Sequence, residues 1–108
     1  MRDEDSKRAA HQALVDSILN GPGQAAADQR ARAFRNDGLV PPLNTLISKV
    51  VASPAAVTEA DFAAALTAGS SEDQLFELVI CAAVGQSARL YEAGLAALAE
   101  AAVGESAG

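Results

Sequence analysis

The sequence predicts an all-α fold of about five helices, and three observations lead there. Alanine dominates an apolar fraction that makes up 50% of the residues, and alanine is the strongest helix former because ordering it costs no side-chain entropy. β-Branched residues do not recur in the alternating runs that a half-buried strand requires. Apolar residues return instead at intervals of three and four, between clear glycine and proline stops. A chain of 108 residues fits one small domain, expected over residues 1–103 with a flexible tail at 104–108.

The first helix is expected over about 3–19. Ala10, Leu14, Val15 and Ile18 form its apolar stripe, and Asp3, Glu4 and Asp5 suit its positive N-terminal end. Asn20-Gly21-Pro22-Gly23 stops it. A second helix over about 24–35 carries only a narrow stripe of Ala27, Ala31 and Phe34, and Asn36-Asp37-Gly38 ends it.

Pro41 and Pro42 stand where a helix can begin, because proline is tolerated in the first turn. Leu43, Leu46, Ile47 and Val50 then follow the i, i+3, i+4, i+7 spacing of a core-facing helix that Pro54 closes. The fourth helix has the strongest local punctuation. Thr58 is a good N-cap with Asp61 three residues on, Val57 can staple against Phe62, and Gly69 suits a left-handed cap. Ser71 and Gln74 repeat the capping-box pattern and open a long central helix over about 72–103, roughly 45 Å if unbroken. Within it Gly85 and Gly94 each cost about 1 kcal/mol relative to alanine, so a bend or a close helix crossing is expected at one of them.

Residues 78–84, Leu-Val-Ile-Cys-Ala-Ala-Val, are apolar around the whole helical circumference. A one-sided contact would leave half of them in water, so part of their cover is expected from other copies of the chain. A homo-oligomer follows as the expected state.

Charge and cysteine content exclude several functions. The net charge is −6 with eight Lys and Arg, whereas a nucleic-acid binder needs a basic face to neutralise phosphates. The one basic cluster, Arg30, Arg32 and Arg35, is expected at the C-terminal end of the second helix, where cations favour its dipole. A single cysteine permits no internal disulfide and fits a reducing cytoplasm. Cys81 and His11 alone build no zinc site, and no cofactor or metal is expected. The charged start MRDEDSKRAAHQ lacks a signal-peptide core, and the run from Leu78 to Gly85 is too short to span a bilayer. A soluble cytoplasmic protein without membrane partners is expected.

Four residues are candidates for chemistry: Glu77, Cys81, Arg89 and His11. Cys81 lies inside the apolar run with no cation one turn away on its helix, which favours a small buried hydrophobe over an activated thiol. Glu77 opens that run; if buried it needs a partner, for which Arg89 of another copy or Arg35 would serve. Gln86, Arg89 and Glu92 make a polar strip suited to a solvated face or a subunit ion pair. His11 falls near, not squarely on, the first apolar stripe and has no evident triad partners. Tyr91 suits a core or interface position with its hydroxyl on the rim.

The stretch 57–98, in the pieces VTEADFAAALTAG and SEDQLFELVICAAVGQSARL, resembles the alkylhydroperoxidase D / carboxymuconolactone decarboxylase family. The Phe76-Glu77-Leu78 step, the acidic helix start and the preceding VPPLNTLISKVV add to the likeness. The resemblance implies an all-helical dimer, trimer or hexamer. Peroxidase members carry Cys-x-x-Cys followed by His on the long helix, with a glutamate upstream. Here Cys81 as the first cysteine puts Val84 and Ala88 at the other two positions, and as the second it puts Leu78 and Gly85 there. Disulfide-based peroxide reduction needs an attacking and a resolving thiol, and one thiol is present. The expectation is therefore a non-catalytic, structural or accessory oligomer, which could partner a catalytically complete relative. The alternatives are an acid–base lactone decarboxylase or isomerase, a single-cysteine peroxidase using Cys81, and a small-ligand binder.

Overall fold

A computed structural model of the chain describes the backbone of residues 2–107 and the side chains of residues 5–104. The described residues are helical without strands: α1 (Arg2–Asn20), α2 (Ala27–Arg35), α3 (Leu43–Ala52), a 3₁₀ turn (Pro54–Ala56), α4 (Glu59–Thr67) and α5 (Glu72–Ala107). Gly108 lies outside the described residues, and 104–107, expected as tail, continue α5. The expected placing of Asp3 and Glu4 at the start of α1 concerns side chains outside those described.

Local punctuation sets the helix ends. Thr58 Oγ1 accepts the Asp61 N–H and Asp61 Oδ2 accepts the Thr58 N–H, so both halves of the capping box form. Ser71 and Gln74 do the same for α5. Gly69 takes φ +113°, the left-handed region expected after α4. Asn36 takes φ +53° and ends α2. The Lys49 ammonium also bonds the Asp61 carboxylate, at 2.9 Å, which fastens α3 to the cap of α4.

The core lies between residues 25 and 82. It comprises Ala25, Ala33, Leu43, Leu46, Ile47, Ala65, Leu75, Leu78, Cys81 and Ala82. Leu43, Leu46 and Ile47 are buried as their spacing predicts, with Val50 half-buried beside them. Val57 packs on the core, whereas Phe62, its expected staple partner, is exposed. α2 lies across α5 at Gly85, which is buried: a Cβ there would collide with the Phe34 carbonyl. The expected close crossing is at Gly85, and Gly94 has open space around it.

Two packing expectations are corrected. In α1 the half-buried face is His11, Val15, Ile18 and Leu19, with Ala10 and Leu14 exposed. The contact stripe lies about one residue round from the predicted one because α1 runs antiparallel to α5 and must meet it with His11 on Tyr91. In α2 the buried residues are Arg30 and Ala33, and Ala27 is exposed. An arginine thus occupies the face on which sequence periodicity expects only apolar groups.

At 78–84 the chain's own cover is incomplete. The chain covers most of this run itself: Leu78, Cys81 and Ala82 are buried, Val79, Ile80 and Val84 are half-buried, and only Ala83 is exposed. α2, α3 and α1 all pack on this part of α5, because Gly85 lets α2 approach closely. Uncovered apolar surface remains at Ile80 and Ala83 and extends along α5 on either side of them. No described hydrophobic residue of α1, and none of α5 beyond Ala82, is buried. Phe76, Leu90, Leu98 and Val103 are all more than 60% exposed.

The shape follows. The extents are 58 × 29 × 20 Å with a radius of gyration of 16.9 Å, against about 13 Å for a compact domain of this length. The accessible surface is 7172 Å², about 1,500 Å² more than a compact monomer of this mass exposes. A compact end is built on α2–α4, and an arm is formed by α1 lying antiparallel along the second half of α5.

Candidate functional site

The densest polar constellation is a clasp around residues 21–26, the link between α1 and α2. Arg30, only 8% exposed, donates from Nε to the Ala25 carbonyl at 3.1 Å and from one terminal nitrogen to the carbonyls of Ile18 at 3.2 Å and Gly21 at 2.7 Å. Ile18 stands in the last turn of α1, where carbonyls lack intrahelical partners and the dipole is negative. Arg30 therefore serves the C-terminus of α1 and not, as expected, that of its own helix. Arg32 instead pairs with Asp28 at 3.2 Å and bonds the Gly38 carbonyl, and Arg35 is exposed.

Glu77 closes the clasp from α5. The N–H groups of Gln24 and Ala25 donate to its two carboxylate oxygens at 2.7 and 2.5 Å. A Cβ on Gly23 would collide with the same carboxylate, so the glycine expected as a turn former is also required by close approach. Gln74 adds a bond from its side-chain amide to the Gln24 carbonyl. Glu77 thus finds its partners in backbone amides, with Arg30 as the neighbouring cation, and not in Arg35 or Arg89.

These bonds set the protonation of the site. The two amide donors, and secondarily the Arg30 charge, hold the Glu77 carboxyl below its ordinary value of 4.5. Burial pushes the Cys81 thiol above its ordinary value of 9.0, with Arg30 opposing and Glu77 reinforcing the rise. Cys81 Sγ donates weakly to the Ile18 carbonyl at 3.8 Å. A general base works best with a pKa near the operating pH, and a nucleophilic thiol with a lowered one. Both candidates are displaced the wrong way. The cavity they line with Ser17, Ile18, Pro22, Arg30 and Ile80 is about 160 Å³, below the roughly 300 Å³ at which small-molecule sites begin.

The clasp makes a pH prediction. The folded-state pKa of Glu77 is depressed, so its contribution is fully present above the unfolded value near 4.5 and is lost as pH falls through the folded value. Glu77→Gln is expected to melt below the native protein at pH 7, with the gap closing on acidification below pH 4.5. Melting curves at pH 7, 5 and 3 check this; a gap that stays constant with pH contradicts it.

The other two candidates lie apart from the clasp. The His11 ring centroid is 6.0 Å from that of Tyr91, and the two share a shallow cleft of about 220 Å³ with Lys7 and Ser87. Arg89 donates to the Phe34 carbonyl at 2.7 Å, in the last turn of α2, and to Gln86 Oε1 at 3.2–3.3 Å. It thereby caps α2 next to the Gly85 crossing. Glu77 and Cys81 are brought together; His11 and Arg89 join neither them nor each other. Among the described residues no group of three His, Cys, Asp or Glu side chains is arranged for a metal, and no helix is long and apolar enough to cross a membrane.

Arg30 is the residue that sequence reasoning misplaces. Its one signal is that it follows a proline–glycine link whose carbonyls need donors, and that signal does not single it out from Arg32 and Arg35. No protein-family profile, curated protein or solved structure matches this chain.

Proposed function

We propose that the protein is a non-enzymatic, self-associating helical subunit with a structural or accessory role. The observation that carries this reading is the apolar surface left bare on the longest helix, with Phe76, Leu90 and Leu98 each 63–67% exposed. Monomeric proteins seldom leave large contiguous apolar patches in water, and such patches mark association surfaces. The surplus of about 1,500 Å² over a compact monomer exceeds the roughly 800 Å² that each partner contributes to a standard interface. Light scattering at micromolar concentration tests it. A mass of a whole multiple of 11.0 kDa is expected, and a single-chain mass contradicts the reading.

The family part of the proposal, a carboxymuconolactone decarboxylase or alkylhydroperoxidase D-like protein without the redox motif, draws on the resemblance over 57–98. The sequence of a short capped helix followed by a long one supports it. In that setting a catalytic relative is the natural partner of an accessory copy, and the cytoplasm is the compartment that one free thiol fits.

The enzymatic alternatives have less behind them. A single-cysteine peroxidase needs an accessible thiolate, whereas Cys81 is 1% exposed with its pKa raised. Folded protein at pH 7 is expected to leave Cys81 unmodified by a thiol reagent for hours, with full reaction on denaturation. Modification within minutes in the folded state would restore the peroxidase reading.

A further inference from the structure

We infer that the outer face of α5 is a two-fold seam on which a second copy of this chain docks antiparallel. The inference rests on the self-associating reading above and adds the surface, the orientation and the pairing. Residues 76, 80, 83, 87, 90, 94, 97 and 101 are Phe, Ile, Ala, Ser, Leu, Gly, Ala and Ala. They follow alternating steps of four and three, the spacing of a coiled-coil seam, over about 38 Å of helix. All are exposed except Ile80, which is half-buried.

The seam carries no charge. Glu77, Arg89, Glu92 and Glu100, the charged residues of α5 between 76 and 101, all lie at least about 100° around the helix from its centre. The seam also lies on the side of α5 away from the Gly85 crossing with α2, and α1 borders it at Ile80 and Ser87, which face Ile18 and His11 across shallow cavities.

Orientation follows from side-chain size. Running antiparallel about a two-fold axis between Ala88 and Arg89, the seam sets Phe76 against Ala101, Ile80 against Ala97, Ala83 against Gly94 and Ser87 against Leu90 of the second copy. Each large residue meets a small one, as close packing of facing layers requires. The parallel arrangement sets Phe76 on Phe76 and Gly94 on Gly94, which alternately overfills and empties the contact. The antiparallel arrangement also opposes the helix dipoles. It lays the unsupported arm of each copy beside the compact end of the other, covering the part of α5 that its own chain leaves bare. Such a contact is isologous and closes at two copies.

A nitroxide on Glu100→Cys, an exposed position off the seam, tests the orientation, with native protein as the control that buried Cys81 stays unlabelled. The antiparallel seam separates the two labels by about 35 Å along the axis, and pulsed EPR is expected to give a distance near 40 Å. A distance under about 20 Å means parallel helices, 8–10 Å apart, and overturns the inference while leaving self-association intact. An assembly of more than two copies overturns it in the same way. So does a dimer whose dissociation constant is unchanged in Leu90→Glu, where at least a tenfold weakening is expected. A monomer overturns both the seam and the reading beneath it.

Discussion

Arg30→Met is expected to lower the unfolding free energy by about 3–5 kcal/mol. The guanidinium holds three carbonyls from two segments, Ile18 at the end of α1 and Gly21 and Ala25 in the link. Methionine fills the volume and supplies no donor, so buried acceptors lose charged partners and Glu77 loses its neighbouring cation. A domain of this size has about 5–15 kcal/mol in total, so the variant is expected to stand near the limit of folding. Arg30→Lys is expected to recover little, because an ammonium cannot present Nε and a terminal nitrogen in one fixed fork. Urea unfolding followed by circular dichroism measures the loss; a change under about 1 kcal/mol would mean the clasp does not hold α1 to α2.

Gly85→Ala is expected to cost about 2–3 kcal/mol, and Gly94→Ala to add roughly 0.5–1 kcal/mol. Both are glycines inside one helix, where alanine is intrinsically better by about 1 kcal/mol. At Gly94 an added Cβ meets nothing within 4 Å, so the propensity gain stands. At Gly85 the Cβ meets the Phe34 carbonyl, a backbone atom that cannot swing aside. α2 must then retreat from α5, which weakens the Arg89 bond to the same carbonyl and opens the packing around Ala33 and Ala82. The opposite signs of the two variants are the check. Equal effects would show that α2 and α5 do not approach closely at this crossing.

What was legible in the sequence was local. The Thr58–Asp61 and Ser71–Gln74 boxes, the left-handed Gly69 and the Leu43–Leu46–Ile47 face each depend on residues three or four apart. Spacing along the chain therefore determines them. The clasp was not legible because its bonds join residues 52 and 53 positions apart, Glu77 with Ala25 and Gln24. Arg30 was read from its place on its own helix, whereas its role is set by the end of another.

The apolar run at 78–84 was read correctly as surrounded. How much of that cover the chain supplies itself is not visible in composition, because it depends on the closeness that Gly85 permits to α2. The surface that lacks cover, from Phe76 to Ala101, is diluted by alanine and stands out only once α1 is seen to occupy one side of α5 and leave the seam side open.

Sedimentation equilibrium of the native chain beside Leu90→Glu is the most direct test of assembly through α5. The native protein is expected at twice 11.0 kDa and the variant at the single-chain mass, with unchanged helical circular dichroism because Leu90 is 63% exposed and stands outside the core. Equal masses for the two proteins, whether both single or both doubled, would contradict the account.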